Sequence, residues 1–370
     1  MTNAQPHKFL KQIRMVRTRA PLRLSFGGGG TDVSPYADTR GGCVLNATIS
    51  RYVYGTLVPK SERSIGFRSF DYGTVVYWTE EEHFRFDGQL DLVKGVLKRF
   101  ELDKFRTEGF DLFVHADAPP GSGLGSSSTF TVALIGLFRE LLGLPITSAG
   151  MAGLAFEIER NDVGIKGGRQ DQYAAAFGGF NFMEFHGPEV VVTPLRLSEF
   201  LINELEYNLL LCFTGSRESQ PIIDSQIESA AKNKPEPLAA MDQVKAIAVE
   251  MKKALLAGEL DYFGEMLHEG WLQKKKMASG ITTPWIDELY EEARKAGAIG
   301  GKITGAGGGG HLLLYCPFNK RHIVRERLKA LGTSVTDFRF DPVGMQTWKV
   351  YHERSGTCRS PAVLRDAAWR

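Results

Sequence analysis

PPGSGLGSSS, residues 119–128, runs directly into TFTVALIGLFRELLG, residues 129–143. The first part cannot be regular structure. Glycines at 121, 123 and 125 permit backbone angles and close approaches that a Cβ would block. The second part has the apolar density of a buried helix, starting near Ser126 and ending before Gly143. A glycine turn feeding a helix N-terminus gathers unpaired N–H groups and the positive end of the helix dipole, which together attract an anion, most often phosphate. A serine hydroxyl there can also ligate the Mg²⁺ that accompanies a nucleotide. One serine as an N-cap would satisfy the helix; three glycines and three serines exceed that need. The lysine of the G-x-x-x-x-G-K-[ST] loop is missing, and Ser126 stands where a dinucleotide fingerprint has its third glycine. The expected nucleotide site is therefore Pro120, Gly121, Ser122, Gly123, Leu124, Gly125, Ser126, Ser127 and Ser128, with Gly123→Val expected to weaken nucleotide binding and leave the fold largely intact.

Working outward, FDLFVHADAP before the turn reads as a strand that runs into Pro119 and Pro120. IRMVRTRAPLRLSF, CVLNATISRYVYGTLVP, SIGFRSF and TVVYW alternate apolar and polar residues as half-buried strands do. GGGGTD, residues 27–32, interrupts the first and must be a turn. Helices are expected over about 89–101, 148–160 and from Gln170, then strands at GGFNFMEF and EVVVTPL. Around residues 186–206 the character changes. NLLLCFTG is a buried strand, followed by amphipathic helices over about 220–233, 235–257, 261–278 and 284–296. AIGGKITGAGGGGHLLLYC reads as strand, glycine loop, strand. A basic helix over 320–330 and a last strand, SVTDFRF, follow, and the tail from residue 354 to 370 reads as unstructured. Strands first and helices later argue for an α+β fold in two units, residues 14–190 and 200–353, with a cleft between them.

The chain has 370 residues, 43% hydrophobic and 24% charged, with a formal net charge of +2. That length suits two domains, and that charge balance gives no footprint for nucleic acid. Four scattered cysteines without a C-x-x-C pair argue against a disulfide scaffold or a zinc site. The N-terminus, polar to about Gln12, has no signal-like apolar core, and no apolar run approaches the ~18–20 residues of a membrane span. A cytoplasmic protein without a membrane partner is expected.

PPGSGLGSSS closely resembles the signature of the GHMP kinase superfamily. RAPLRLSFGGGGTD, residues 19–32, resembles the family's first motif, and KITGAGGGGHLLLY, residues 302–315, its third. The resemblance implies a two-domain kinase fold, ATP and Mg²⁺ as cofactors, and an active site in the interdomain cleft. In EIERNDVGIKGGRQDQYAAAFGGFNF, residues 157–182, Asp171 matches the carboxylate that faces the acceptor hydroxyl and takes its proton. Alone, that Asp would more often be a helix cap. Arg23 matches the arginine near the acceptor, and Ser127 with Glu159 the Mg²⁺ ligands.

Segments such as GGCVLNATISRY and IERNDVGIKGGRQDQYAAAFGGFNFMEF extend the resemblance to the family's bacterial heptose 7-phosphate kinases. This implies phosphorylation of the anomeric hydroxyl of D-glycero-D-manno-heptose 7-phosphate to the 1,7-bisphosphate. Alternatives are a kinase for another sugar such as fucose, and a non-catalytic metabolite-binding regulator, which would be expected to lack Ser127, Glu159 or Asp171. Gly29, Gly30, Thr31 and Asp32 would then meet the sugar, Asp32 accepting from neighbouring hydroxyls, with Gly307 and Gly308 beside the phosphates. Arg51, Lys166, Arg169, Arg217 and Lys302 are candidates to grip the acceptor's own phosphate, with Lys302, Arg169 and Arg217 favoured. The lysine run at 274–276 reads as a solvated helix face.

Overall fold

The computed structural model describes residues 13–71, 73–79, 84–102, 109–218 and 220–352. The polar N-terminus and the tail expected to be unstructured lie outside these residues. In chain order the first half contains β1 (Ile13–Gly27), α1 (Tyr36–Arg40), β2 (Gly42–Pro59), β3 (Ile65–Ser69), β4 (Thr74–Trp78), α2 (Asp91–Arg99), β5 (Phe110–Ala116), α3 (Ser126–Leu142), α4 (Ser148–Glu157), α5 (Gln170–Phe177), β6 (Phe180–His186) and β7 (Glu189–Pro194). The second half contains α6 (Glu199–Asn208), β8 (Leu209–Gly215), α7 (Gln220–Ala231), α8 (Pro235–Ala257), α9 (Leu260–Lys274), α10 (Pro284–Lys295), β9 (Gly300–Ile303), β10 (Gly310–Tyr315), α11 (Arg321–Ala330), β11 (Ser334–Val335) and β12 (Gln346–Tyr351). The fold is α+β.

The larger sheet has the path β12-β1-β2-β5-β3-β4, with β6 and β7 added to the first half of β2. β2 spans 18 residues, long enough to pair β6 through Gly42–Ala47 and β5 through Val53–Pro59. The smaller sheet, β11-β8-β10-β9, is antiparallel throughout. α3 is buried at every position from Thr131 to Phe138. A helix without a polar stripe belongs in an interior, and α3 packs there against β1 and β2. One apolar cluster joins both halves: Phe26 of β1 meets Phe263 of α9 edge-on, ring centroids 5.4 Å apart.

Two features depart from the sequence reading. SVTDFRF forms strand only at Ser334–Val335. The chain then crosses to the first sheet, where Phe340 bridges Ile49 and β12 pairs antiparallel with β1. The stretch 200–353 is thus interrupted near its end, because the edge of β1 offers unpaired N–H and C=O groups that QTWKVY covers. Second, the helix expected over 148–160 ends at Glu157, and residues Ile158–Asp162 form a single π-helical turn. Such wide turns recur at functional sites, and this one carries Glu159.

Candidate active site

The glycine turn meets α3 without a side-chain cap. Gly125 is the N-cap residue, at φ 79, and no side chain bonds to the first turn. No serine caps this helix, so amides of the first turn stay unclaimed by side chains. Ser127 is exposed at this mouth, whereas Ser122 and Leu124 are fully buried. The second glycine loop lies directly against the first. A Cβ on Gly123 would stand 2.6 Å from the Thr304 carbonyl oxygen, and one on Gly310 2.5 Å from that of Ser122. His311 fixes the contact, its Nδ1 lying 2.9 Å from the Ser122 carbonyl oxygen. Gly123 also has φ 78. Gly123→Val would therefore push the two loops apart, contrary to the expectation of an intact fold.

Arg23 and Asp171 sit under this turn. Arg23 is 3% exposed. Its Nε and Nη2 both lie 2.7 Å from Asp171 Oδ1, and its Nη1 donates to the Gly123 carbonyl at 2.6 Å. One guanidinium thus ties the carboxylate to the loop. Asp171 does not cap α5. That role belongs to Asp32, whose Oδ2 accepts from the backbone N–H of Arg169 and Gln170 at 3.0 and 3.1 Å. Asp32 Oδ1 accepts from Gly30 N–H at 3.0 Å and Gln170 Nε2 at 3.4 Å. The carboxylate expected to accept sugar hydroxyls is occupied by protein donors and is 1% exposed. Thr31 is likewise turned inward, its Oγ1 donating to the carbonyls of Gly28 and Cys43. Gly30 borders the cleft, and Gly29 packs against Ser25 and Gln170.

Glu159 is 2% exposed, and burial raises its pKa, opposed chiefly by the Arg160 charge. Its Oε2 accepts from Ser128 Oγ at 2.8 Å and Gln172 Nε2 at 3.0 Å and lies 3.1 Å from Arg160 Nη1. Its Oε1 has no hydrogen-bond partner. Glu159 thus contacts Ser128 rather than Ser127, although both serines and the carboxylate line the same cavity. Among the described residues no cluster of three or more His, Cys, Asp or Glu side chains could hold a metal by itself.

The cations divide differently from the expectation. Arg217 donates to the Gly307 carbonyl and lines the cleft; burial, then Arg23, lowers its pKa to about 10. Lys302 is 3% exposed and donates to the Ser25 carbonyl at 2.9 Å, so it braces β1. Burial, then Lys274 and Arg23, puts its pKa well below the usual lysine range. Arg169 is held by the Gly187 carbonyl and Asp38, over the Phe156 ring. Arg51 donates to the Asp337 carbonyl at the surface. Lys166 lines the cleft and pairs with exposed Asp224 at 3.1 Å. Gly308 N–H donates to the Ile281 carbonyl at 2.7 Å, shaping the second loop. Lys274 overturns the solvated-face reading: it is 3% exposed, ends α9, and donates to the Gly305 carbonyl. Burial, then Arg217 and Arg23, lowers its pKa to about 7. Its burial had a signal, since residue 274 lies three after Trp271 and seven after Leu267 on the buried stripe.

Three cavities meet here. A polar cleft of about 420 Å³ holds the turn, Ser127, Glu159 and Arg217. An apolar pocket of about 500 Å³ adjoins it, sharing Gly121, Ser126 and Ser127 and walled by Phe67, Leu90 and Phe130; Pro120 belongs to this pocket. A deep pocket of about 80 Å³ lies on the other side. Arg23 and Asp171 line both the polar cleft and the deep pocket. No helix among the described residues is long and apolar enough to cross a membrane.

Residues 91–179 match the GHMP kinases N terminal domain, and residues 251–333 the GHMP kinases C terminal family. The chain is 38% identical over 341 residues to a D-glycero-alpha-D-manno-heptose 7-phosphate kinase of Campylobacter jejuni, covering 91% of this chain and 100% of the relative. A solved D-glycero-D-manno-heptose 1-phosphate kinase from Bacteriodes thetaiotaomicron superposes with a TM-score of 0.76 at 37% identity, over 91% of this chain and 100% of that one. Lactococcus lactis galactokinase shares the fold, with a TM-score of 0.72 at 20% identity, over 93% and 98% of the two chains. With its two glycine loops in contact over the Arg23–Asp171 pair, the chain belongs to the GHMP kinase family and is a phosphotransferase.

Proposed function

We propose that the protein transfers the γ-phosphoryl group of ATP to the anomeric hydroxyl of a heptose 7-phosphate, giving the 1,7-bisphosphate. The observation that carries this reading is the Arg23–Asp171 pair at the junction of the polar cleft and the deep pocket. A donor on one side and an acceptor on the other would meet at that carboxylate. The nucleotide base would enter the apolar pocket and its phosphates would follow the turn to the amides of α3. Asp171 would aim the hydroxyl and accept its proton as the new P–O bond forms, while loop amides and Arg217 stabilise the transferring charge. Arg23 supplies the countercharge and fixes the carboxylate.

Mg²⁺ fits the donors present. Glu159 Oε1 is a buried oxygen without a partner, and the Ser127 hydroxyl stands in the same cleft, a hard-oxygen pair to which nucleotide phosphates would add. Bound there with ATP, the ion would supply charge neutralisation on the phosphates. For the acceptor's own phosphate the grip proposed is Lys166 at the cleft rim, because its exposed pairing with Asp224 is weak and exchangeable. The names of the two heptose kinases above put the acceptor's phosphate at different ends, 7 in one and 1 in the other.

The test is ATP consumption with heptose 7-phosphate, heptose 1-phosphate, free heptose and L-fucose, and ³¹P NMR of the product. Heptose 7-phosphate is expected to exceed free heptose in kcat/KM by about ten- to hundred-fold, the weight of a charge-assisted contact, and to give a new anomeric phosphate signal. Equal kcat/KM for the two would overturn the phosphate requirement in favour of an unphosphorylated sugar.

A further inference from the structure

We propose that the deep pocket beneath Asp171 is a polyol subsite in which Gln170, Gln226 and Lys274 bind the sugar hydroxyl next to the one phosphorylated. The proposal rests on the reading of the site as a sugar kinase and names the part of the acceptor that enters the pocket. The cavity of about 80 Å³ admits only one end of a sugar. Its walls hold two polar atoms that the protein leaves unsatisfied. Gln226, 3% exposed, has no partner for Nε2, and Gln170, 8% exposed, has none for Oε1. Buried polar atoms are rarely left unpaired, and such exceptions call for a specific occupant. Lys274 closes the pocket as a further donor, its Nζ on the Gly305 carbonyl and 3.9 Å from the position a Cβ on Gly29 would take.

The mixture of groups selects the occupant. A hydroxyl both donates and accepts, so it can use Gln226 Nε2, Lys274 Nζ and Gln170 Oε1 together. A phosphate dianion only accepts. It would face the Gln170 carbonyl oxygen, with the Asp32 and Asp171 carboxylates also in the wall. The pocket therefore takes hydroxyls, and the acceptor's phosphate stays in the wider cleft. Gln170 comes from α5, Gln226 from α7 and Lys274 from the end of α9. The subsite is complete only where the two halves of the chain meet, so it reads the sugar through both.

The experiment compares heptose 7-phosphate with its 2-deoxy analogue in the wild type, Gln226→Leu and Lys274→Met, recording kcat/KM for each acceptor and KM for ATP. The wild type is expected to favour the parent sugar by about tenfold or more, because a site built to bond a hydroxyl rejects an analogue lacking it. Each variant is expected to reduce that preference to within about threefold. Gln226→Leu should also keep the ATP KM within about twofold, since its lost contact serves only the acceptor, whereas Lys274→Met also gives up the bond to the Gly305 carbonyl of the second glycine loop. Gln226→Leu removes a donor that has no partner in the protein, so it folds without losing a native bond there. An undiminished preference in both variants overturns the subsite. So does a rise in ATP KM for Gln226→Leu with acceptor discrimination intact, which would put that side chain on the nucleotide. If the wild type instead prefers L-fucose to heptose 7-phosphate, the function proposed above fails, and L-fucose with its 2-deoxy analogue decides the subsite by the same ratios.

Discussion

Asp171→Asn is expected to lower kcat by about 10²–10⁴-fold, the usual range for a lost general base, with nucleotide Kd nearly unchanged. The amide keeps the shape of the side chain and removes the charge and the basicity. Asp171 forms a 2.7 Å pair with Arg23 and lines both the polar cleft and the deep pocket. It is therefore placed to meet an acceptor hydroxyl beside the phosphates. Its helix would survive the change, because Asp32 caps α5. Asp171→Ala should fall at least as far, since it also loses the aim. The check is kcat and nucleotide Kd for both variants, with thermal melts to confirm folding. Turnover of Asp171→Asn within a few-fold of wild type would remove the carboxylate from the chemistry.

Arg23→Met is the second large effect, and it acts on stability and rate together. Removing the guanidinium strands the Gly123 carbonyl and leaves Asp171 facing the pocket without its countercharge. Breaking a buried pair by deleting one partner typically costs ~3–5 kcal/mol. Asp171 is 25% exposed, so water offsets part of the loss, and about 2 kcal/mol is expected. The rate should fall by about 10²–10³-fold, because the carboxylate loses its orientation and the loop one of its anchors. Arg23→Lys keeps the charge but not the fork that reaches Asp171 and Gly123 at once, so it should recover stability better than rate. Melting temperature and kcat measured on the same preparations separate the two effects. A Met variant that keeps wild-type kcat would make Arg23 a purely structural residue.

The sequence read well where a short pattern has one physical solution. The glycine turn and the helix from Ser126 to Leu142 were legible because Gly125 and Gly143 bracket an unbroken apolar run. The closeness of residues 121–127 and 305–310 follows from the same motifs, since two glycine loops expected to serve one site must meet. Roles that depend on distant partners were not legible. Asp32 and Asp171 both follow glycine-rich segments, and only the fold assigns capping to the first and the Arg23 pair to the second. Lys302 and Arg169 looked available because each adjoins a motif, yet each is spent on backbone carbonyls. Lys274 was hidden by its neighbours, since a run of three lysines suggests a wet face, while the end of α9 turns the first of them inward. β12 escaped because an edge strand is half-exposed on both faces and shows weak alternation.

The most direct measurement of the central claim is a crystal structure with Mg²⁺, a non-hydrolysable ATP analogue and heptose 7-phosphate bound together. The account predicts triphosphate along residues 121–127, its terminal phosphate over the Arg23–Asp171 pair. The anomeric hydroxyl should lie within about 2.6–3.2 Å of an Asp171 oxygen, the reach a general base needs. A triphosphate bound away from that turn, or a reacting hydroxyl beyond the reach of Asp171, would contradict it.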